Sequence, residues 1–145
     1  MNAKAYLKQI KELDIKINNK IVEKESLYTM ATKVTPTLSE DKVSGNFNAT
    51  DKVGNIVAKI VDIEREINAA IDEYFTVKNT IIRQIEQLQD ERYYNLLHKR
   101  YVQYKDFSII ADEMGYEYRV IINLHSDALK FFYKKFLKNK TDDVK

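Results

Sequence analysis

The sequence predicts an all-α fold, a long antiparallel, coiled-coil-like helical hairpin followed by a compact C-terminal helical head, and three observations carry that expectation. The 145 residues hold one Pro and three Gly among abundant Ile, Lys, Glu, Asn and Tyr, a composition that favours helices over a turn-rich sheet protein. Val53, Ile56, Ile60, Ile63, Ile67, Ala70, Tyr74, Val77, Ile81, Ile85 and Leu88 recur at spacings of three and four without a break, a period only a helix shows. Shorter helical patterns follow from Leu96 onward and are punctuated by Gly115, placed where a left-handed helix cap is wanted.

From the N-terminus, residues 2–31 carry Tyr6, Ile10, Leu13, Ile17 and Ile21 on one face and Lys8, Lys11, Glu12, Lys16, Asn18 and Asn19 on others, an amphipathic helix. Thr, Ser, Asn, Asp, Gly and Pro36 then cluster over residues 32–50, the helical period disappears, and a long loop is expected. Thr50 or Asp51 is a suitable N-cap for the next helix. That helix, residues 51–89, would be on the order of 55 Å long. Val57, Val61, Ile71, Phe75 and Ile82 widen its apolar face beyond a two-stranded seam. The N-terminal helix is therefore expected to fold back along it, and a second copy of the chain to cover the rest. Ile56, Ile60, Ile63, Ile67, Tyr74 and Ile81 are the residues assigned to this self-association, with a dimer favoured. Residues 1–89 form a stem on this reading, residues 90–140 a head, and residues 141–145 a frayed tail.

In the head, Asp90 and Glu91 open a helix with Tyr93, Leu96, Leu97 and Tyr101 on its buried face, and residues 102–105 interrupt it. Phe107, Ile110, Ala111 and Met114 make a short helix that ends at Gly115. Ile121, Leu124 and Ala128, extended by Leu129, Phe131 and Phe132, make the next. Two helices crossing steeply after a short turn need a small residue at the crossing, and Ala111 supplies it. The pattern is that of a DNA-binding helix-turn-helix, whose second helix enters the major groove. Tyr118, Arg119, Ile122, Asn123 and Ser126 fall on its outer side, with Tyr116, Glu117 and His125 nearby. Arg119 suits a guanine edge, Asn123 an adenine edge, and Ile122 or a tyrosine ring a thymine methyl. Lys99, Arg100, Lys105, Lys130 and Lys134 flank this surface as candidate phosphate contacts, which position a protein without reading sequence.

Arg100-Tyr101, the run 109–115 (Ile-Ile-Ala-Asp-Glu-Met-Gly), and Ile121, Leu124, Ala128 and Leu129 resemble region 4 of sigma-70-type transcription factors over about the last third of the chain. The runs 97–101 and 124–129 are similar to the RinA- and ArpU-like late-gene activators of Gram-positive phages and prophages. The resemblance implies a phage or prophage transcriptional regulator, an activator, that reads promoter or operator DNA and can touch host RNA polymerase. The chain departs from the sigma pattern at Val120, Ile122 and Asp127, where Arg, Lys or Gln is common, and Glu117 would repel phosphate. One copy should bind DNA weakly, and two copies more tightly.

Charged residues make up 32% of the chain, yet the formal net charge is only +2, so a non-selective polycation is excluded and DNA affinity must come from local charge. The lack of Cys removes disulfides and thiolate metal sites, and no apolar run reaches membrane-spanning length. A cytoplasmic protein of the bacterial host cell, without membrane attachment, is expected. No Gly-rich phosphate loop is present, and His125-Ser126-Asp127 lies on a helix where i and i+2 side chains diverge. No enzymatic activity, cofactor or metal is expected. Two other readings keep the helical head: a small terminase subunit that binds packaging-site DNA, and an adaptor that binds RNA polymerase or another protein.

Overall fold

A computed structural model describes residues 1–40 and 47–138, and the side chains of 1–33 and 51–138. Every element among the described residues is helical: α1 Ala3–Leu7, α2 Gln9–Glu40, α3 Phe47–Glu86, α4 Glu91–Leu97, α5 Phe107–Met114 and α6 Tyr118–Phe132. The helix widens into π turns over His98–Val102, after α4, and over Tyr133–Leu137, after α6. The loop expected over 32–50 is corrected on both sides, because α2 runs to Glu40 through Pro36 and α3 already begins at Phe47, ahead of the expected cap at Thr50 or Asp51. The polar turn-forming residues lower helix propensity by only tenths of a kcal/mol each, roughly, whereas Pro36 costs about 3 kcal/mol in a helix interior. The rest of that loop, 41–46, and the tail 141–145 lie outside the described residues.

The chain divides into two compact units, Met1–Leu13 with Tyr74–Lys145, and Asp14–Glu73. This partition differs from the expected stem of 1–89 and head of 90–140. The N-terminal residues belong with the head because Ala3, Leu7 and Ile10 form a buried stripe that shares one cluster with Ile81 and Ile85 of α3 and Leu88 just beyond it, with Leu97 and Tyr101, and with Ala128, Phe132 and Leu137. Asn2 caps α1, its Oδ1 accepting from the Ala5 N–H at 2.7 Å. The Tyr6 hydroxyl donates to Gln84 Oε1 at 2.7 Å, and its ring lies 5.8 Å from that of Phe132. A second cluster of Leu96, Ile110, Ala111, Ile121 and Leu124 packs α4, α5 and α6 together, and Tyr93 borders both clusters.

In the unit Asp14–Glu73, Ile56, Ile60, Ile63, Ile67 and Ala70 of α3 are buried, as is Ile17 of α2. Lys20 pairs with Glu66 at 2.7 Å and Lys24 with Glu64 at 3.2 Å, while the Tyr28 hydroxyl donates to Glu64 at 3.4 Å. Positions that advance along α2 meet positions that retreat along α3. The Lys20 hydrogen bond holds the Glu66 carboxyl below its ordinary range. Such exposed pairs fix register more than they stabilise.

This packing corrects the residues assigned to self-association. Ile56, Ile60, Ile63 and Ile67 are each 7% exposed and Ile81 is fully buried, while Tyr74 is half-buried and packs against the larger cluster. The centre of the wide apolar stripe is consumed within the chain, and only its flank, where Val57 and Val61 lie, reaches solvent.

Candidate nucleic-acid interface

Asp90 caps α4, its carboxylate accepting from the Arg92 backbone N–H at 2.9 Å and from its guanidinium at 2.8 Å. The chain then turns sharply over residues 103–106, where Tyr104 takes a positive φ of 61°, a conformation that costs a side-chain-bearing residue on the order of 1 kcal/mol or more. Two bonds close this turn: the Lys105 N–H donates to Lys99 O at 3.0 Å, and Arg100 Nη1 donates to Lys105 O at 3.1 Å. α5 ends at Gly115 (φ 74°, ψ 30°), with the Tyr116 N–H donating to Ala111 O at 3.0 Å, the six-to-one bond of a left-handed cap. α6 follows within three residues of α5.

The register of α6 separates two faces. Ile121, Leu124, Ala128 and Phe132 are buried. Tyr118, Arg119, Ile122, Asn123 and Ser126, the candidate base contacts, are all exposed. Val120 and Phe131 are exposed as well, at 43% and 42%, on the flank of α6 beside Leu124.

The five candidate phosphate contacts fall into two groups. Lys130 and Lys134 are exposed and form no ion pair among the described residues. Lys99 and Lys105 both grip Glu113, at 2.7 and 2.8 Å, and together they hold its carboxyl below the usual range, Lys105 contributing most. Arg100 is half-buried over the Phe107 ring, 4.1 Å from its centroid, while it bonds Lys105 O. These three cations therefore brace α5 against the preceding turn. Glu113, which partners two of them, carries no such signal in the sequence because the pairs span 14 and 8 residues.

His125, expected near the outer side of α6, is turned inward. Its Nε2 lies 2.7 Å from the Tyr101 hydroxyl and its ring sits edge-on to Phe107 at 4.8 Å. Burial drives its pKa down to about 4, with Arg100 and Lys4 adding to the effect, and burial raises the Tyr101 phenol to about 12. Because the folded pKa of His125 lies below the unfolded one, the native state binds fewer protons there. The stabilisation is whole above about pH 6.5 and is lost as the pH falls toward about 4. Urea unfolding at about pH 5 should show a loss on the order of 1–2 kcal/mol relative to pH 7, after allowance for solvent screening. His125→Gln should flatten that dependence, and an unchanged slope in the variant would refute the assignment.

Among the described residues no group of three or more His, Asp or Glu stands close enough to hold a metal ion, and no helix is long and apolar enough to cross a membrane. No protein-family model, curated protein or solved structure matches the chain.

Proposed function

We propose that the protein is a phage or prophage transcriptional regulator, an activator, in which α5 and α6 form a sigma-region-4-like helix-turn-helix and α2 and α3 an antiparallel hairpin. One observation carries the reading: α6 buries Ile121, Leu124 and Ala128 while Tyr118, Arg119, Ile122, Asn123 and Ser126 all stay open to solvent beyond a Gly115 turn. Such a helix offers a guanidinium and a carboxamide to base edges, and each well-made base contact is worth roughly 1–3 kcal/mol of discrimination. Lys130 and Lys134 are the phosphate contacts this reading retains. The terms phage and activator rest on the resemblance alone.

Self-association belongs to the same proposal. Ile15, Val22, Val57 and Val61 of the unit Asp14–Glu73 are exposed, and a dimer formed on them would double the DNA contacts of a weakly charged head. Sedimentation of the full chain reads the dimer directly, and a monomer at every concentration would remove it from the proposal.

Footprinting on the DNA flanking the gene tests the reading. The chain should protect a discrete site, and Arg119→Ala and Asn123→Ala should each weaken protection by about tenfold or more without altering the melting temperature. Uniform, salt-sensitive coating that both variants retain would sink it. A second reading, an adaptor for RNA polymerase or another protein, is favoured by the exposed Val120, Ile122 and Phe131. Absence of any footprint together with co-purification of polymerase would select it.

A further inference from the structure

The start of α1 and the end of α6 enclose an open groove of about 320 Å³ whose surface is almost wholly apolar. Asn2, Ala3, Leu129 and Tyr133 line it together with the aliphatic stems of Lys4, Lys130 and Lys134. Lys20, Lys24, Lys99 and Lys105 each hold a carboxylate, and Lys135 donates to Gln87 O at 2.6 Å. Lys4, Lys130 and Lys134 have no carboxylate partner among the described residues, and all three are exposed.

Three unpaired cations around an apolar trough call for an occupant that is anionic and apolar at once. A duplex backbone supplies phosphates but nothing to fill the trough. A small amphiphile is held by a pocket that encloses most of its surface, and this groove is more open than enclosed. A polypeptide segment suits both features, because it seats one or two side chains in the trough and spreads several carboxylates along the lysines, as acidic motifs do on basic clusters.

We propose that this groove docks an acidic segment of a partner protein, which inserts an apolar side chain over Ala3, Leu129 and Tyr133 and sets carboxylates against Lys4, Lys130 and Lys134. The site requires α1 to be docked on α6, so it exists only in the folded unit. Lys130 and Lys134 also serve the proposed DNA contact, and on that reading the acidic segment competes with DNA for them.

Fluorescence anisotropy of the full chain tests the groove without DNA. The probe is a fluorescein-labelled peptide carrying leucine and phenylalanine one helical turn apart among glutamates. It should bind, while a counterpart with lysines for the glutamates and a glutamate peptide without apolar residues should not. Lys4→Glu, Lys130→Glu and Lys134→Glu should each weaken binding by about tenfold with the melting temperature unchanged, and Arg119→Ala should leave it intact. Failure of the acidic peptide to bind, or equal binding by the charge-only peptide or the three variants, overturns the proposal. Tighter binding of decanoate or of phosphatidylglycerol vesicles at the same lysines also overturns it. Because Arg119→Ala weakens the footprint but leaves peptide binding intact, failure of either proposal is seen separately.

Discussion

Replacing Phe132 by alanine is expected to cost about 3–5 kcal/mol of stability, read as a drop in the urea midpoint with little change in slope. Phe132 is fully buried and sits where three parts of the chain converge: the Tyr6 ring lies 5.8 Å away, the Phe136 ring 4.9 Å away, and the buried stripe of Ala3, Leu7 and Ile10 shares its cluster. The loss combines the transfer free energy of the ring with a cavity that helices anchored at both ends cannot close. With small domains stable by about 5–15 kcal/mol in total, the variant should be close to unfolding at physiological temperature. A loss below about 1 kcal/mol would mean that the N-terminal residues do not pack on α6 in solution.

Ile121→Ala should cost about 2–5 kcal/mol through the other cluster. Ile121 is buried with Leu96, Ile110, Ala111 and Leu124, a cluster bordered by Tyr93, Phe107 and Met114 that packs α6 against α4 and α5. Its loss loosens the backbone that carries Arg119 and Asn123. DNA affinity should therefore fall with stability, unlike in Arg119→Ala, where affinity falls alone. The two clusters meet only at partly buried side chains such as Tyr93, so the costs of Phe132→Ala and Ile121→Ala should add to within about 0.5 kcal/mol. Strong coupling between them would show that the two clusters are one.

Much of the helical content was legible because periodicity is local. The run from Ile56 to Ile85, the stop at Gly115 and the buried face Ile121, Leu124, Ala128 are each set by neighbours within two turns, although the helix expected to reach residue 89 ends at Glu86. What the periodicity left open was the partner of each face. Ala3, Leu7 and Ile10 repeat as any amphipathic helix does, and nothing in that repeat says that they meet Phe132 rather than α3 alone. Ile56 and Ile67 looked available to a second copy for the same reason: a stripe announces that it is covered, not by what.

The candidate site followed the same division. Exposure along α6 came out of the register of its apolar residues. The fates of Lys99, Arg100 and Lys105 did not, because their partners Glu113 and Phe107 lie across the turn and a basic residue's sequence context does not reveal a satisfied charge. His125 turned inward because Tyr101 offered it a hydrogen bond and Phe107 a ring edge, partners that lie 24 and 18 positions away. The stretch 32–40 is helical against its composition, Pro36 included.

The central claim, that the outer face of α6 meets DNA, is tested most directly by titrating the isotopically labelled full chain with duplex DNA from its own locus and following each backbone amide by NMR. The account predicts that shifts concentrate on Tyr118, Arg119, Ile122, Asn123 and Ser126, extend to Lys130 and Lys134, and weaken steeply as salt is raised. Shifts centred instead on Ile15, Val22, Val57 and Val61, or no shifts on α6 at low salt, would contradict it.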